Sequence, residues 1–188
     1  MVLPRLLEAL DFAAQRHSAQ RRKGPDAVPY VNHLIEAAAL LATVGGVTDV
    51  EVLMAAVLHD VLEDTPTTRE EVLALFGARV LQLVDSVTDD KRLSRAERRQ
   101  AVLAHLPHAA DETRVIKLAD LCSNVMTLPS DWAPERAREY LVWAHRAAEL
   151  CAASNPALAQ LFAERWAITS QAWGLPAPPA GTLSEPAK

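Results

Sequence analysis

Apolar residues recur along this chain at the three- and four-residue spacing of a helix that buries one face. The first such segment carries Leu6, Leu7 and Leu10 toward the interior, and Pro4 suits its first turn. No segment shows the clear period-two alternation of a half-buried strand. The pattern therefore predicts an all-α fold of about eight to ten helices, with a single domain over residues 1–174.

Capping and helix-breaking residues predict several helix ends. Asn32 is the expected N-cap of the second helix. Thr48–Glu51 is a capping-box pattern that should open the third helix, which is expected to run to Asp64 because Thr65-Pro66 breaks it there. A later helix is expected over Glu112–Leu128.

Composition supports the helical prediction and limits the class of partner. Half of the 188 residues are hydrophobic but only 5% are aromatic, so Leu and Ala must form much of the core, which favours helix. The formal charge of −5 provides no global basic field for nucleic acid or an anionic membrane. Residues 175–188 contain four prolines and few hydrophobic residues, and are expected to form a flexible or surface-lying tail.

Cysteine content and the lack of long apolar runs bear on the compartment. Cys122 and Cys151 make no disulfide framework, so a reducing interior is the better match. No apolar run reaches the length of a membrane span, and the N-terminus has no signal-peptide pattern. We therefore expect a cytoplasmic protein without a membrane partner. The sequence does not indicate an oligomeric state.

The most apolar predicted helix ends in four ionisable residues, His59, Asp60, Glu63 and Asp64. Burying such a group is costly unless a cation compensates it, and a divalent metal is the simplest compensation, since imidazole and carboxylate are both good ligands. Glu63 and Asp64 stand one helical turn beyond the His-Asp pair, so they are expected to lie beside a metal rather than on it. The alternative is a solvated acidic cluster at a helix end.

Three further features indicate a functional site only when they are taken together. His33 follows the N-cap of the second helix, where a lone His is more often structural than a ligand. Asp120, Asn124 and Thr127 fall at i, i+4 and i+7, which places them on one wet or ligand-bound helix face, with a solvent-facing stripe as the alternative. The basic run Gln20–Lys23 precedes His33, and alone such a run is usually solvated surface. Of the remaining histidines, His17 is expected to brace the first helix, and His105, His108 and His145 are expected to face solvent.

Taken together, His33, His59-Asp60 and Asp120 resemble the H…HD…D pattern of the HD-domain metal phosphohydrolases. Further motifs narrow the resemblance to the hydrolase half of the RelA/SpoT family, and within it to the small alarmone hydrolases, the group that includes the metazoan SpoT homologues. It covers roughly residues 5–150. These motifs are Gln20–Lys23, Pro29–His33, His59–Thr65, Phe76-Gly77, Val87–Lys91 and Lys117–Asp120 with Asn124.

The resemblance implies a helical HD fold that binds one Mn²⁺ and hydrolyses the 3′-pyrophosphate of ppGpp or pppGpp, giving GDP or GTP and pyrophosphate. It implies the metal ligands His33, His59, Asp60 and Asp120. It implies a catalytic role in activating or orienting water for Glu63 and Asp64. It also implies substrate contacts, with Arg22 and Lys23 at the guanine, Asn124 and Thr127 at the nucleoside, and Arg136 and Tyr140 near the phosphates.

The chain departs from the family pattern at a few positions. Leu34 stands where Pro usually follows the His, and Leu121–Ser123 replace a stretch that usually carries a Lys and a Tyr. None of these is an implied ligand, so they bear on pocket shape and nucleotide preference rather than on metal binding. The length leaves no room for a synthetase domain, so hydrolysis alone is expected.

Two other interpretations remain open. An HD phosphohydrolase of different specificity, such as a 5′-nucleotidase or an NADPH 2′-phosphatase, would use the same metal ligands, and only the basic residues and the acidic pair argue against it. A non-enzymatic helical scaffold with a structural metal is disfavoured by Glu63 and Asp64, because structural sites are usually closed and need no spare carboxylates.

Overall fold

The computed structural model describes residues 2–23 and 27–174, and the predicted tail at 175–188 lies outside the described residues. Within those residues the secondary structure is helical, with one isolated β-bridge between Arg21 and Pro29. This confirms the predicted all-α class. The α-helices are α1 (Val2–Arg16), α2 (Val31–Thr43), α3 (Val50–Leu58), α4 (Val61–Asp64), α5 (Arg69–Phe76), α6 (Ala78–Val87), α7 (Arg95–His105), α8 (Asp111–Val125), α9 (Pro134–Cys151) and α10 (Pro156–Ala172), with 3₁₀ turns at Leu106–His108 and Ala152–Ser154.

Two helices form the centre of the fold. Every residue from Val52 to Leu58 of α3 is buried, and this helix packs against α1, α2, α6 and α8. Helix α8 packs against α2, α9 and α10 as well. Each fully buried Leu or Val contributes about 1.5–3 kcal/mol to folding, so these two helices are rigidly placed. Helix α8 carries Asp120, and α3 leads directly into His59 and Asp60, three of the residues predicted to form the metal site. Among the described residues, no helix is both long and apolar enough to cross a membrane.

The predicted continuous helix to Asp64 is wrong, because the chain leaves the helical path at His59 and Asp60. The Nδ1 atom of His59 donates to the Ala56 carbonyl at 2.7 Å. A continuing helix would present that carbonyl to the Asp60 N–H. Asp60 has φ −101° and ψ −3°, and α4 restarts from its carbonyl, which accepts from the Asp64 N–H at 2.8 Å. The break turns His59 and Asp60 toward the same point.

Two other predicted helix ends are also wrong. The N-cap of α2 is Tyr30, with no side-chain capping bond, and Asn32 already lies inside the helix. The helix starts early because a turn at Pro29 brings its carbonyl to the Asn32 N–H at 3.1 Å. Helix α8 ends at Val125 rather than at Leu128, since the residue before a proline, here Pro129, is disfavoured in the helical region.

Side chains cap the N-termini of α3, α5 and α7. The Asp49 side chain caps α3 by accepting from the Glu51 N–H at 2.9 Å, so the predicted capping box headed by Thr48 is not formed. Asp and Thr are both good N-caps, and the residue nearer the helix takes the position. Full capping boxes do open α5 at Thr68 and α7 at Ser94.

Candidate active site

The four predicted metal ligands converge. His33 lies in the first turn of α2, His59 and Asp60 lie at the break between α3 and α4, and Asp120 lies on α8. The Nε2 atom of His33 is 3.1 Å from Oδ1 of Asp120, and the Nε2 atom of His59 is 3.2 Å from Oδ2 of Asp60. Both histidines are buried, at 2% and 4% exposure. Three helical segments that are distant in sequence thus bring their donor atoms to one place.

The donor set fits a divalent cation. One ligand atom from each of His33, His59 and Asp60 lies within 4.8 Å of the others. The Nδ1 atom of His59 is engaged by the Ala56 carbonyl, and that of His33 lies 2.8 Å from the Ser123 hydroxyl, so both rings direct Nε2 into the cluster. Imidazole nitrogen and carboxylate oxygen are the ligands that divalent first-row metals use.

The electrostatics of the cluster also favour a positive charge. Burial lowers the pKa of His33. Burial acts in the same direction on His59, but the charges of Asp60 and Asp120 outweigh it and raise its pKa. Burial opposes ionisation of Asp60, yet the neighbouring His59 holds the pKa of that carboxyl below its usual range. The carboxylates are therefore anionic and need a cation or a protonated imidazole between them.

Two residues that were not predicted as functional hold the carboxylates in place. The Tyr30 hydroxyl donates to Oδ2 of Asp60 at 2.6 Å, and the Lys117 ammonium lies 3.0 Å from Oδ2 of Asp120. Burial, together with Asp60, raises the pKa of Tyr30, so the hydroxyl stays a donor. Lys117 precedes Asp120 by three residues, and this helical spacing could have revealed it. The contact of Tyr30 with Asp60 depends on the tertiary fold.

The acidic pair on α4 faces the interior of the site. Oε2 of Glu63 accepts from the Asp89 backbone N–H at 3.2 Å, while Asp64 accepts from the Gln20 amide at 3.2 Å and pairs with Lys91. The side chains of both acids are only about one-fifth exposed, at 20% and 21%, which argues against a solvated helix end. Burial, with help from Asp60 and Asp89, raises the pKa of Glu63 to about 7.

A cleft of about 470 Å³ opens beside Asp120. It contains both members of the acidic pair and five of the six predicted substrate residues, and Arg136 is the one that does not line it. The cleft walls also supply aromatic side chains. Its lining is Gln20, Arg21, Arg22, Lys23, Tyr30, Glu63, Asp64, Lys117, Asp120, Leu121, Asn124, Thr127, Leu128, Pro129, Trp132, Tyr140 and Trp143.

Arg22 is fixed at one wall of the cleft. Its guanidinium donates to Oδ1 of Asn124 at 3.0 Å and to the hydroxyl of Thr127. The Asn124 amide donates in turn to Asp120, which connects this wall to the metal cluster. Thr127 lies beyond the end of α8 but still faces the cleft. Lys23 is exposed at the cleft edge.

An aromatic cluster of Trp132, Tyr140 and Trp143 also lines the cleft, and two arginines outside the lining contact its rings. The Trp132 and Tyr140 rings meet edge to face at 5.8 Å, and Tyr140 lies 5.7 Å from the ring of Trp143. Arg136 stacks over Trp132 at 4.2 Å, and Arg99 lies 5.7 Å from the centre of Tyr140. Within the described part of the chain, the buried Tyr140 hydroxyl and Arg136 Nε have no hydrogen-bond partner, and Tyr140 lines the cleft. Trp132, Trp143 and Arg99 were not among the predicted site residues.

Comparison with known proteins agrees with this geometry. A family model described as the HD domain matches residues 9–149. Guanosine-3′,5′-bis(diphosphate) 3′-pyrophosphohydrolase MESH1 of Danio rerio is 44% identical over 168 residues, covering 85% of this chain and 93% of that protein. MESH1 of Homo sapiens is also 44% identical, covering 85% and 94%. A solved structure described as a metazoan ortholog of SpoT that hydrolyzes ppGpp and plays a role in starvation responses superposes with a TM-score of 0.83 at 38% identity, covering 92% of this chain and 97% of that chain.

Proposed function

We propose a function from the premise that this chain belongs to the HD-domain family and, within it, to the small alarmone hydrolases of the RelA/SpoT family. The protein hydrolyses the 3′-pyrophosphate of ppGpp or pppGpp. The products would be GDP or GTP and pyrophosphate. The observation that carries the proposal is the convergence of His33, His59, Asp60 and Asp120 beside a cleft with basic and aromatic walls. The relatives are named for this reaction and align over nearly their whole length.

Mn²⁺ is the cation we propose, held by His33, His59, Asp60 and Asp120. Mixed imidazole and carboxylate ligands suit Mn²⁺ or Fe²⁺, and the resemblance to the RelA/SpoT hydrolases favours Mn²⁺. When bound, the cation would lower the pKa of water and stabilise charge on phosphoryl oxygens. Lys117 engages Oδ2 of Asp120, and Oδ1 of that carboxylate faces the Nε2 atoms of both histidines. Oδ2 of Asp60 accepts from Tyr30 and also faces Nε2 of His59, so it is the Asp60 oxygen directed at the ion.

Glu63 is the proposed general base. Its Oε2 is anchored by the Asp89 N–H, while Oε1 lies 3.9 Å from Lys91 and makes no close ion pair, so it can accept a proton. A base with a pKa of about 7 suits reaction at neutral pH. The attacking water would form a bond to the 3′-linked phosphorus and lose a proton to Glu63. The bond from that phosphorus to O3′ would break, and O3′ would take up a proton. Asp64, held by Gln20 and Lys91, would orient the water.

The cleft walls are proposed to hold the nucleotide. Arg22 is already fixed by neutral partners, so it can stack on a purine without losing a salt bridge. Lys23 would meet the guanine edge, and Asn124 and Thr127 would provide hydrogen bonds to the nucleoside. At the other wall the unpartnered polar atoms of Tyr140 and Arg136 would receive phosphate oxygens. Stacking on Trp132 holds Arg136 in reach of that wall, although it does not line the cleft itself.

We also propose that residues 1–174 act as one HD-type domain and that the protein works in the cytoplasm on a small nucleotide. Both cysteines, Cys122 and Cys151, are buried free thiols, as suits a reducing compartment. The formal charge of −5 gives no support to nucleic acid or an anionic membrane as a partner.

A substrate panel tests this function. The protein with Mn²⁺ would be assayed against ppGpp, pppGpp, NADPH and a set of 5′-nucleotides, with an Asp60→Asn variant to detect contaminating activity. We expect ppGpp or pppGpp to exceed the others in kcat/KM by about 100-fold, the discrimination expected from two or more lost polar contacts. A higher kcat/KM for NADPH or a 5′-nucleotide would contradict the proposal.

A further inference from the structure

A chain of hydrogen bonds leads from the metal cluster away from the cleft, across three helices. The Nδ1 atom of His33 on α2 lies 2.8 Å from the Ser123 hydroxyl on α8. That hydroxyl lies 2.6 Å from Oε2 of Glu36, one turn further along α2. Oε1 of Glu36 accepts from the Arg165 guanidinium of α10 at 2.8 Å. These four groups are called the His33 relay below.

The direction of every bond in the His33 relay follows from its members. Arg165 can only donate and an ionised Glu36 can only accept, so Ser123 must donate its one proton to Glu36. The Ser123 oxygen is then left as an acceptor for His33. The Nδ1 atom of His33 therefore carries the hydrogen, and its Nε2 atom has a free lone pair directed at the cluster.

Glu36 is held as an anion. Burial opposes its ionisation, but the hydrogen bonds from Ser123 and Arg165 outweigh it and lower the pKa of Glu36. Its side chain is 38% exposed, while Ser123 is fully buried, so the relay runs from solvent to the interior. Arg165 also donates to the Cys122 carbonyl at 2.9 Å, which ties α10 to α8 next to Ser123.

The two imidazoles reach the same tautomer by different routes. His59 donates from Nδ1 to a backbone carbonyl of its own helix, that of Ala56, and needs no other side chain. His33 has the side-chain relay instead. Ser123 falls in the stretch Leu121–Ser123, where the sequence departs from the RelA/SpoT pattern that it otherwise resembles. Partners of this kind orient a ligating imidazole and raise its basicity.

We propose that Ser123, Glu36 and Arg165 are positioning residues that keep His33 in its Nδ1-protonated tautomer, with Nε2 aimed at the cation. The inference rests on the metal-dependent function proposed above. It predicts that the relay determines how tightly the cation is held and has no direct part in the reaction.

Mn²⁺ titrations of purified variants, without nucleotide, test this. We expect Ser123→Ala and Glu36→Ala each to weaken Mn²⁺ binding by about 10- to 100-fold, the usual effect of losing a partner of a ligating imidazole. The double variant should bind about as weakly as the worse single variant, since both break one chain of bonds. Glu164→Ala is the matched control, because it removes an exposed carboxylate beside Arg165 that, among the described residues, accepts only from Gln160. It should bind Mn²⁺ like the unaltered protein.

A second readout separates positioning from a general structural role. At saturating Mn²⁺ the variants should recover kcat for ppGpp to within about threefold, whereas a distorted active site would stay slow at any concentration of metal. If Ser123→Ala does not fold, Glu36→Ala provides the same test from a half-exposed position.

The proposal is overturned if Ser123→Ala or Glu36→Ala binds Mn²⁺ as tightly as the unaltered protein. It is also overturned if the two effects multiply in the double variant, because independent sites add in free energy. Failure of the proposed function has a different signature. An unaltered protein that binds Mn²⁺ but does not hydrolyse ppGpp would contradict the proposed function. The Mn²⁺ titrations would still show whether the His33 relay affects metal affinity.

Discussion

The Nε2 atoms of His33 and His59 lie 3.3 Å apart, and each ring turns its Nδ1 atom outward to an oxygen. Two imidazole lone pairs so close together repel unless a proton or a cation lies between them. Asp60 and Asp120 direct carboxylate oxygens at the same place. The cluster is thus built around a positive charge, and the first prediction concerns that charge.

Asp60→Asn should remove the bound metal and the activity together, because it deletes an anionic ligand while keeping the shape of the side chain. We expect metal content to fall by about 10-fold or more, because the lost ligand costs at least about 1.4 kcal/mol of binding free energy. Elemental analysis after dialysis measures this, and Asp131→Asn on the surface serves as the control. Full Mn²⁺ occupancy in Asp60→Asn would show that Asp60 is not a ligand.

The acidic pair should affect catalysis more than binding. Glu63→Gln with Asp64→Asn keeps the size of both side chains but removes the base, so kcat should fall by about 10²–10⁴-fold. Metal content and KM should change little, since neither residue belongs to the cluster. Steady-state kinetics with a metal assay on the same samples checks both. A near-normal kcat in the double variant would show that Glu63 and Asp64 have only a structural role.

Arg22→Ala should raise KM for ppGpp by about 10-fold, corresponding to one lost stacked or charged contact of roughly 1–2 kcal/mol, with a smaller effect on kcat. It should also narrow any preference for guanine over adenine nucleotides. Arg138→Ala, on the exposed face of α9, is the matched control. If kcat falls sharply while KM stays constant, Arg22 acts at the reacting phosphate and not at the guanine.

The activity should fall at acidic pH as Glu63 is protonated, because only its ionised form accepts a proton. Burial, Asp60 and Asp89 raise the pKa of Glu63 to about 7, and a bound cation opposes that shift. Asp89→Asn removes one of the raising charges but keeps the backbone N–H bond, so the acidic limb should move to lower pH. The pH dependence of kcat/KM measures this. Movement to higher pH would exclude Glu63 as the titrating base.

The ligand set could be predicted from the sequence because His33, His59-Asp60 and Asp120 keep a fixed order on separate helices. The capping boxes at Thr68 and Ser94 consist of bonds between residues three apart in sequence, so helix ends of this kind depend on local sequence alone. Local sequence patterns could not predict the break at His59. It forms where the His59 side chain, in place of a backbone N–H, donates to the Ala56 carbonyl of its own helix.

Long-range contacts explain what else was missed. Tyr30 approaches Asp60, and Ser123 joins His33 to Glu36, only after the helices pack. Packing also buries His145, which was expected to face solvent, because its ring meets Trp166 edge to face at 5.2 Å. These residues have ordinary sequence surroundings, and their roles depend on which helices become neighbours.

The products formed from ppGpp in ¹⁸O-labelled water test most directly whether the protein is a 3′-pyrophosphohydrolase. With Mn²⁺ present, mass spectrometry should find GDP and intact pyrophosphate in equal amounts, with the label in the pyrophosphate, because water attacks the phosphorus joined to O3′. The Asp60→Asn variant should form neither product. Release of orthophosphate in place of pyrophosphate, or recovery of unchanged ppGpp from a metal-loaded protein, would contradict the proposed reaction.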